Sequence, residues 1–260
     1  MIIPSRFGSS RLPGKALLDI GGKAMICRVA EQAKAARNVA RVIVATDDQR
    51  IVSAVAAAGF EAVITRSDHV SGTDRLAEIT ASLEDVEIIV NVQGDEPLIS
   101  PETIERAIAT LAANETTGIV TTWEPIDDAA DVLNPAVVKI VLNEAGRALY
   151  FSRAPIPWPR EAVLEFGSIE MALRSDPGLL NSFRKHTGLY VYRREVLLQF
   201  ASWPQSELER QESLEQLRAL EHGVEILAIE ASTRSIGVDT NEDLERVRQI
   251  VSSSEFRVQV

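Results

Sequence analysis

Short apolar runs alternate with amphipathic stretches along the first half of this chain, and that alternation restricts its fold more than any other feature. Residues 41–46 (RVIVAT) read as a buried strand ending at Asp47 and Asp48. Helical spacing follows in residues 51–55 and stops at Gly59, a candidate C-cap. Residues 61–65 read as the next strand, 75–83 as a helix, and 87–92 (EIIVNV) as a further strand. Pro101 opens a helix through Leu111, with Ser100 as its N-cap. Such repetition predicts an α/β fold: a mostly parallel, Rossmann-like sheet with helices on both faces. Ligands on these sheets sit at the carboxyl ends of the strands.

The second half is less regular. Residues 137–142 and 189–192 are strand candidates, and residues 155–159 (PIPWP) form a connecting loop, since three prolines remove donors and fix φ. Residues 161–181 are polar and mixed and are expected to be a mobile insertion. Residues 207–221 place Leu208, Leu214, Leu217 and Leu220 on one face of a long helix. A last helix over 241–251 is opened by Thr240 or Asn241. There is no internal repeat, and no linker divides the 260 residues cleanly, so a single domain over 1–260 is expected.

The formal net charge of -11 argues against nucleic acid and against an anionic membrane as partners. An anionic small molecule stays possible, because a local basic pocket can sit on an acidic protein. Cys27 is the only cysteine, which excludes an intramolecular disulfide and fits a reducing compartment; its apolar helical setting predicts a buried, inert thiol. The start lacks the apolar core of a signal peptide, and no apolar run is long enough to span a bilayer, so a cytoplasmic location is expected.

Residues 6–15 (RFGSSRLPGK) directly follow the first strand. Small residues let backbone N–H groups approach a phosphate, and Arg6, Arg11 and Lys15 can neutralise it. The loop is not a P-loop, because Ala16 follows Lys15, and it lacks the Gly-x-Gly-x-x-Gly pattern of dinucleotide oxidoreductases. Residues 91–97 (NVQGDEP) leave the central strand with Asp95 beside Gly94, a good position for a magnesium ligand. Asp239 again lies between an apolar stretch and a helix start, where it reads equally as an N-cap or a ligand. Together Asp95 and Asp239 could supply the two carboxylates of a metal site for nucleotidyl transfer, with Lys15 stabilising charge on a triphosphate. No nucleophile–base pair is evident. His69, His186 and His222 are too scattered for a zinc site, and His222, at a helix end, reads as structural. Arg184, Lys185 and His186 form a small basic cluster suited to a carboxylate.

With these residues in view, the chain closely resembles the 3-deoxy-manno-octulosonate (Kdo) cytidylyltransferase family, the CMP-Kdo synthetases. The matching stretches are IPSRFGSSRLPGK (3–15), VATDD (44–48), SGTDRLAE (71–78), NVQGDEP (91–97), NPAVVKIV (134–141), ALYFSRAPIPW (148–158), HTGLYVYRR (186–194), LERQESLEQLRALEHG (208–223) and GVDTNEDLERV (237–247). Each is modestly specific; their order over nearly the whole chain is highly specific. The resemblance implies one nucleotidyltransferase domain of the GT-A-like nucleotide-diphospho-sugar transferase type. Residues from about 135 to 225 would form its sugar-acid-binding and dimerisation part. It implies a homodimer and the reaction CTP + Kdo → CMP-Kdo + diphosphate with Mg2+, for lipopolysaccharide synthesis. It assigns the nucleotide to Arg6, Ser9, Ser10, Arg11, Lys15, Arg66, Ser71, Gly72, Thr73 and Asp95, and magnesium to Asp95 and Asp239. Lys15, Arg11, Asp95 and Asp239 would carry the catalysis. Gln93, Arg153, His186, Tyr190, Glu212 and Gln216 would line the sugar-acid pocket.

Departures from the family pattern leave every charged position in place: Ser5, Phe7 and Ala16 stand for the commoner alanine, tyrosine and proline, and fewer apolar residues precede Ile3-Pro4. Relatives acting on amino-substituted Kdo tend to carry glutamine where Glu96 stands, so Glu96 favours Kdo itself over amino-Kdo or sialic acid. A non-catalytic nucleotide binder should show damage at Lys15, Asp95 or Asp239, and all three are intact. A glycosyltransferase on a similar fold would consume a nucleotide sugar and release no diphosphate from CTP.

Overall fold

The computed structural model describes residues 1–9, 12–69 and 71–253. Ser10 and Arg11, both expected at the nucleotide, lie outside the described residues. The strands are β1 (Ile2–Ser5), β2 (Asp19–Ile20), β3 (Lys23–Ala24), β4 (Ile43–Thr46), β5 (Glu61–Ile64), β6 (Ile88–Asn91), β7 (Ile119–Pro125), β8 (Lys139–Leu142), β9 (Ala148–Ser152), β10 (Arg184–Arg193) and β11 (Ile226–Glu230). The helices are α1 (Met25–Ala35), α2 (Gln49–Ala57), α3 (Gly72–Ala81), α4 (Pro101–Ala113), α5 (Ala129–Leu133), α6 (Arg160–Phe166), α7 (Ile169–Ser175), α8 (Arg194–Ser202), α9 (Glu207–Glu212), α10 (Gln216–Glu221) and α11 (Asn241–Ser252).

Two compact units emerge. The first comprises Met1–Ala109, Leu189–Ala201 and Ser232–Val260. In it β5, β4, β1 and β6 run parallel, and the second half of β10 pairs antiparallel with β6, Tyr190 opposite Asn91. All four residues of β4 are buried. An interior parallel strand is covered on both faces, so it reads as a continuous apolar run rather than an alternating one. Helix α2 ends where Gly59 takes φ 82°, as expected, with Gly59 and Phe60 N–H groups returning to Ala56 and Val55 carbonyls at 3.0 and 3.1 Å. Leu12, Ile20, Met25, Val238, Leu244, Val247 and Val251 form one apolar cluster of this unit, which docks α11 beside the first loop. Each fully buried aliphatic side chain contributes roughly 1.5–3 kcal/mol. Cys27 is buried, and burial pushes its thiol up, as an inert cysteine requires.

The second unit comprises Thr110–Gly188 and Ser202–Ala231. Here β7 and β11 are parallel, β8 and β9 antiparallel, and the first half of β10 pairs antiparallel with β8. Residues 161–181, expected to be a mobile insertion, hold regular secondary structure. They form α6, α7 and a 3-10 turn, because Ile169, Leu173 and Phe183 close a cluster with Ile126 and Val132. Two apolar residues within the polar stretch, with Phe183 just beyond it, suffice to anchor short helices, though they show no long periodicity. The expected helix over 207–221 is also corrected. It breaks into α9 and α10 at Ser213, whose φ of 52° no helix can continue. Buried Glu209 and Arg218, 3.1 Å apart, lie one on each side of that break.

Candidate active site

The site begins where β1 ends. Gly14 adopts φ 66°, a left-handed conformation costly to other residues, and opens the 3-10 turn Lys15–Leu17. That turn points the Lys15 ammonium at two carboxylates: Asp95 Oδ2 at 2.6 Å and Asp239 Oδ1 at 3.1 Å. Burial would lower the pKa of this ammonium, but the charges and hydrogen bonds of Asp95 and Asp239 outweigh burial and hold it above the ordinary lysine value. Lys15 is therefore a cation at neutral pH.

Asp95 leaves the end of β6 through Gly94. A Cβ on Gly94 would stand 2.8 Å from the Pro4 carbonyl oxygen, so only glycine lets this loop lie on β1. Val238 N–H donates to the Asp95 carbonyl at 2.9 Å, tying the two acidic segments together. Asp239 is not the N-cap of α11: Thr240 caps that helix in a reciprocal box with Asp243, and the Asp239 carboxylate faces Lys15. Glu96 is buried and accepts a 3.1 Å hydrogen bond from Ser235, a partner that sequence reading did not name.

Of the residues expected at the nucleotide, Ser71, Gly72 and Thr73 are placed by α3. This helix starts at Gly72, earlier than its apolar period suggested, because Ser71 and Asp74 form a capping box. Thr73 is buried in the first turn, and Gly72 packs on the Pro4 ring. Arg6 is exposed and makes no hydrogen bond or ion pair among the described residues, whereas Ser9 accepts from Leu12 N–H at 3.4 Å. Arg66 is exposed too, held by Asp68 at 2.6 Å.

Of the residues expected at the sugar acid, Gln93 and Tyr190 belong to the first unit and Arg153, His186, Glu212 and Gln216 to the second. Gln93 is half-buried in the turn before Asp95, and Tyr190 is buried and stacks on Tyr192 with centroids 5.7 Å apart. In the second unit Arg153 and Glu212 come together. Glu212 accepts from Ser152 Oγ at 2.6 Å and from Arg153 N–H at 2.9 Å, while the Arg153 guanidinium donates to the carbonyls of Pro135, Glu212 and Ser213. Gln216 is buried at the start of α10. Beneath Arg153 lies a residue the sequence reading gave no role, Lys139. It is fully buried and its ammonium caps the carbonyls of Asn134, Val137 and Arg153 at 2.6 to 3.0 Å. Burial, helped by the Arg153 charge, lowers its pKa. Its one signal in the sequence is a lysine inside the apolar run of residues 137–142.

The basic cluster expected at 184–186 does not form. Successive strand residues point to opposite faces. Arg184 lies over the Trp123 ring at 5.0 Å, and Lys185 faces Glu124 at 3.8 Å. His186 meets Thr121 Oγ1 at 2.9 Å and the Phe151 ring edge-on. Burial drives the His186 imidazole down to about 3, so it is neutral and cannot serve as a cation. His222 stacks on Trp203, in keeping with a structural role.

No group of three or more His, Cys, Asp or Glu side chains that could form a metal cage exists among the described residues. Asp95 and Asp239, 31% and 46% exposed, nevertheless suit magnesium. That ion takes one or two protein carboxylates and fills its shell with phosphate and water. No described helix is long and apolar enough to cross a membrane.

Comparison with known proteins agrees with this arrangement. Residues 1–226 match the cytidylyltransferase family model. The 3-deoxy-manno-octulosonate cytidylyltransferase of Syntrophotalea carbinolica is 50% identical over 246 residues, 95% of either chain, and that of Hahella chejuensis 49% identical over 259, 98% of either chain. The solved structure of a CMP:2-keto-3-deoxy-manno-octonic acid synthetase complexed with CTP superposes with a TM-score of 0.86 at 43% identity, covering 96% of this chain and 97% of that one. A cytidylyltransferase from Leptospira borgpetersenii shares the fold at 15% identity, with a TM-score of 0.62 over 96% of this chain and 85% of its own. The chain is a nucleotidyltransferase of the cytidylyltransferase family and belongs, within it, to the 3-deoxy-manno-octulosonate cytidylyltransferases.

Proposed function

We propose that the enzyme transfers the cytidylyl group of CTP to Kdo. The anomeric hydroxyl oxygen of the sugar acid attacks the α-phosphorus in line. The bond from that phosphorus to the oxygen bridging the β-phosphate breaks, diphosphate leaves, and the hydroxyl proton passes to solvent. Lys15, Arg6 and Arg11 neutralise the triphosphate, and Ser71, Gly72 and Thr73, with Arg66 at their edge, meet the cytosine. Asp95 and Asp239 hold magnesium, which when bound supplies positive charge to the phosphates. Their rigid placement matters because phosphoryl chemistry depends on positioning and electrostatics. Gln93, Arg153, His186, Tyr190, Glu212 and Gln216 recognise the sugar acid. His186 does so as a neutral hydrogen-bonding group, in keeping with its burial.

The observation that carries this reading is Lys15 held by Asp95 and Asp239 at the end of a parallel sheet, in a chain half identical to enzymes of that name. We further propose a cytoplasmic homodimer serving lipopolysaccharide assembly. Leu149, Trp158, Leu164 and Met171 of the second unit, all more than half exposed, are apolar side chains available to such an interface. Purified enzyme with Mg2+ and each nucleoside triphosphate, assayed with Kdo, amino-Kdo and sialic acid, should release diphosphate most efficiently from CTP with Kdo. A clear preference for sialic acid would move the substrate assignment.

A further inference from the structure

The adjacent acids Asp47 and Asp48 directly follow β4 in the first unit. Their side chains go to different places. Asp47 takes Arg75 Nη2 at 2.9 Å. Arg75 is 4% exposed, and its other nitrogen Nη1 donates to Thr65 Oγ1, which itself donates to the Thr46 carbonyl at 3.1 Å. Arg75 sits one turn into α3, so this network fixes the start of that helix, with Ser71, Gly72 and Thr73, against the ends of β4 and β5. Asp48 caps α2 through Arg50 N–H at 2.9 Å, and its carboxylate also grips the Arg50 guanidinium at 2.9 and 2.6 Å. That guanidinium lies 3.4 Å over the Phe7 ring centroid. The Phe7 ring fills the space beside Gly14: a Cβ there would stand 3.1 Å from Phe7 Cζ. The chain of contacts thus runs from Asp48 through Arg50 and Phe7 to the turn that aims Lys15.

We infer that Asp47 and Asp48 are positioning residues that divide the nucleotide between them, Asp47 setting the segment that reads the base and Asp48 the loop that holds the triphosphate. The inference rests on the nucleotide assignment proposed above. A buried guanidinium shared by an acid and a threonine holds a helix start to one position, because both bonds must be kept for Arg75 to stay satisfied. The Phe7 ring, with the Arg50 guanidinium over its face and Gly14 beside its edge, does the same for the turn that aims Lys15.

The two acids should therefore fail differently. Asp47→Asn keeps a hydrogen-bond acceptor but removes the charge facing Arg75. It should raise KM for CTP about tenfold, lower the preference for CTP over UTP, and leave kcat within about threefold. Asp48→Asn keeps the helix cap, since asparagine caps as well as aspartate, and frees Arg50 from Phe7. It should lower kcat about tenfold with base preference unchanged, because transition-state charge on the phosphates loses its fixed cation. Thr65→Val, milder than Asp47→Asn, should repeat the base defect at smaller size. The measurement is steady-state diphosphate release with CTP and UTP, beside calorimetric CTP binding and thermal melting of each variant. Identical kinetic profiles for the two acids, or lower melting temperatures with unaltered kinetics, would overturn the inference. Absence of CTP binding to the unsubstituted enzyme would instead remove the proposed function, and this inference with it.

Discussion

Lys15 and Asp95, eighty positions apart in the chain, meet at 2.6 Å, and Asp239 joins them at 3.1 Å. The contact assembles a cation and two carboxylates from three separate segments of the first unit. Because Asp95 donates its oxygens to magnesium in this account, Asp95→Asn should lower metal-dependent turnover about a thousandfold, on the scale of about 1.4 kcal/mol per tenfold. Diphosphate release with a magnesium titration checks this, and near-normal turnover would remove Asp95 from the metal site.

Lys15→Met should abolish most turnover, and its stability profile carries a sign. The ammonium pKa is raised in the folded protein, so its contribution is present in full below the unfolded lysine value and fades as pH rises through the folded value. The melting-temperature difference between Lys15→Met and the parent should be constant from about pH 6 to 9 and shrink above about 10.5. A difference that vanished at neutral pH would contradict the ion pairs.

His186 has the opposite sense. Burial holds its folded pKa at about 3, below the unfolded value near 6.5. The unfolded chain therefore binds the extra proton between these values, and stability from this group falls as pH drops from about 6.5 towards 3. The imidazole carbon protons of His186 should not shift in an NMR titration from about pH 5 to 8. Titration within that window would contradict a buried, neutral His186.

Glu209→Ala should strand the buried Arg218, whose guanidinium sits 3.1 Å from Glu209, and cost about 3 kcal/mol or more in chemical denaturation. A loss below about 1 kcal/mol would place the pair in contact with water.

The sequence was most informative where periodicity or chemistry was local. The parallel strands β4, β5 and β6, the caps at Ser100 and Thr240, and the use of Asp95 and Asp239 together could all be anticipated, since each depends on neighbours in the chain or on acids placed beside a strand end or a helix start. Features set by tertiary contact could not. The break at Ser213 interrupts a helical leucine pattern because Glu209 and Arg218 must meet. Residues 161–181 look polar, yet Ile169 and Leu173, with Phe183 just beyond, find Ile126 and Val132 from elsewhere in the chain. Arg184, Lys185 and His186 looked like one basic patch until strand alternation sent Arg184 and Lys185 to different partners and burial removed the charge of His186. The roles of Lys139 and Arg75 were invisible, because a buried cation announces itself only through the carbonyls or acids folded around it.

The most direct test of the account is phosphorus NMR of the purified enzyme incubated with CTP, Mg2+ and Kdo. The account predicts that the triphosphate resonances are replaced by one phosphodiester signal and one equivalent of diphosphate, only when Kdo is present. Intact CTP, or conversion to CDP and inorganic phosphate, would contradict it.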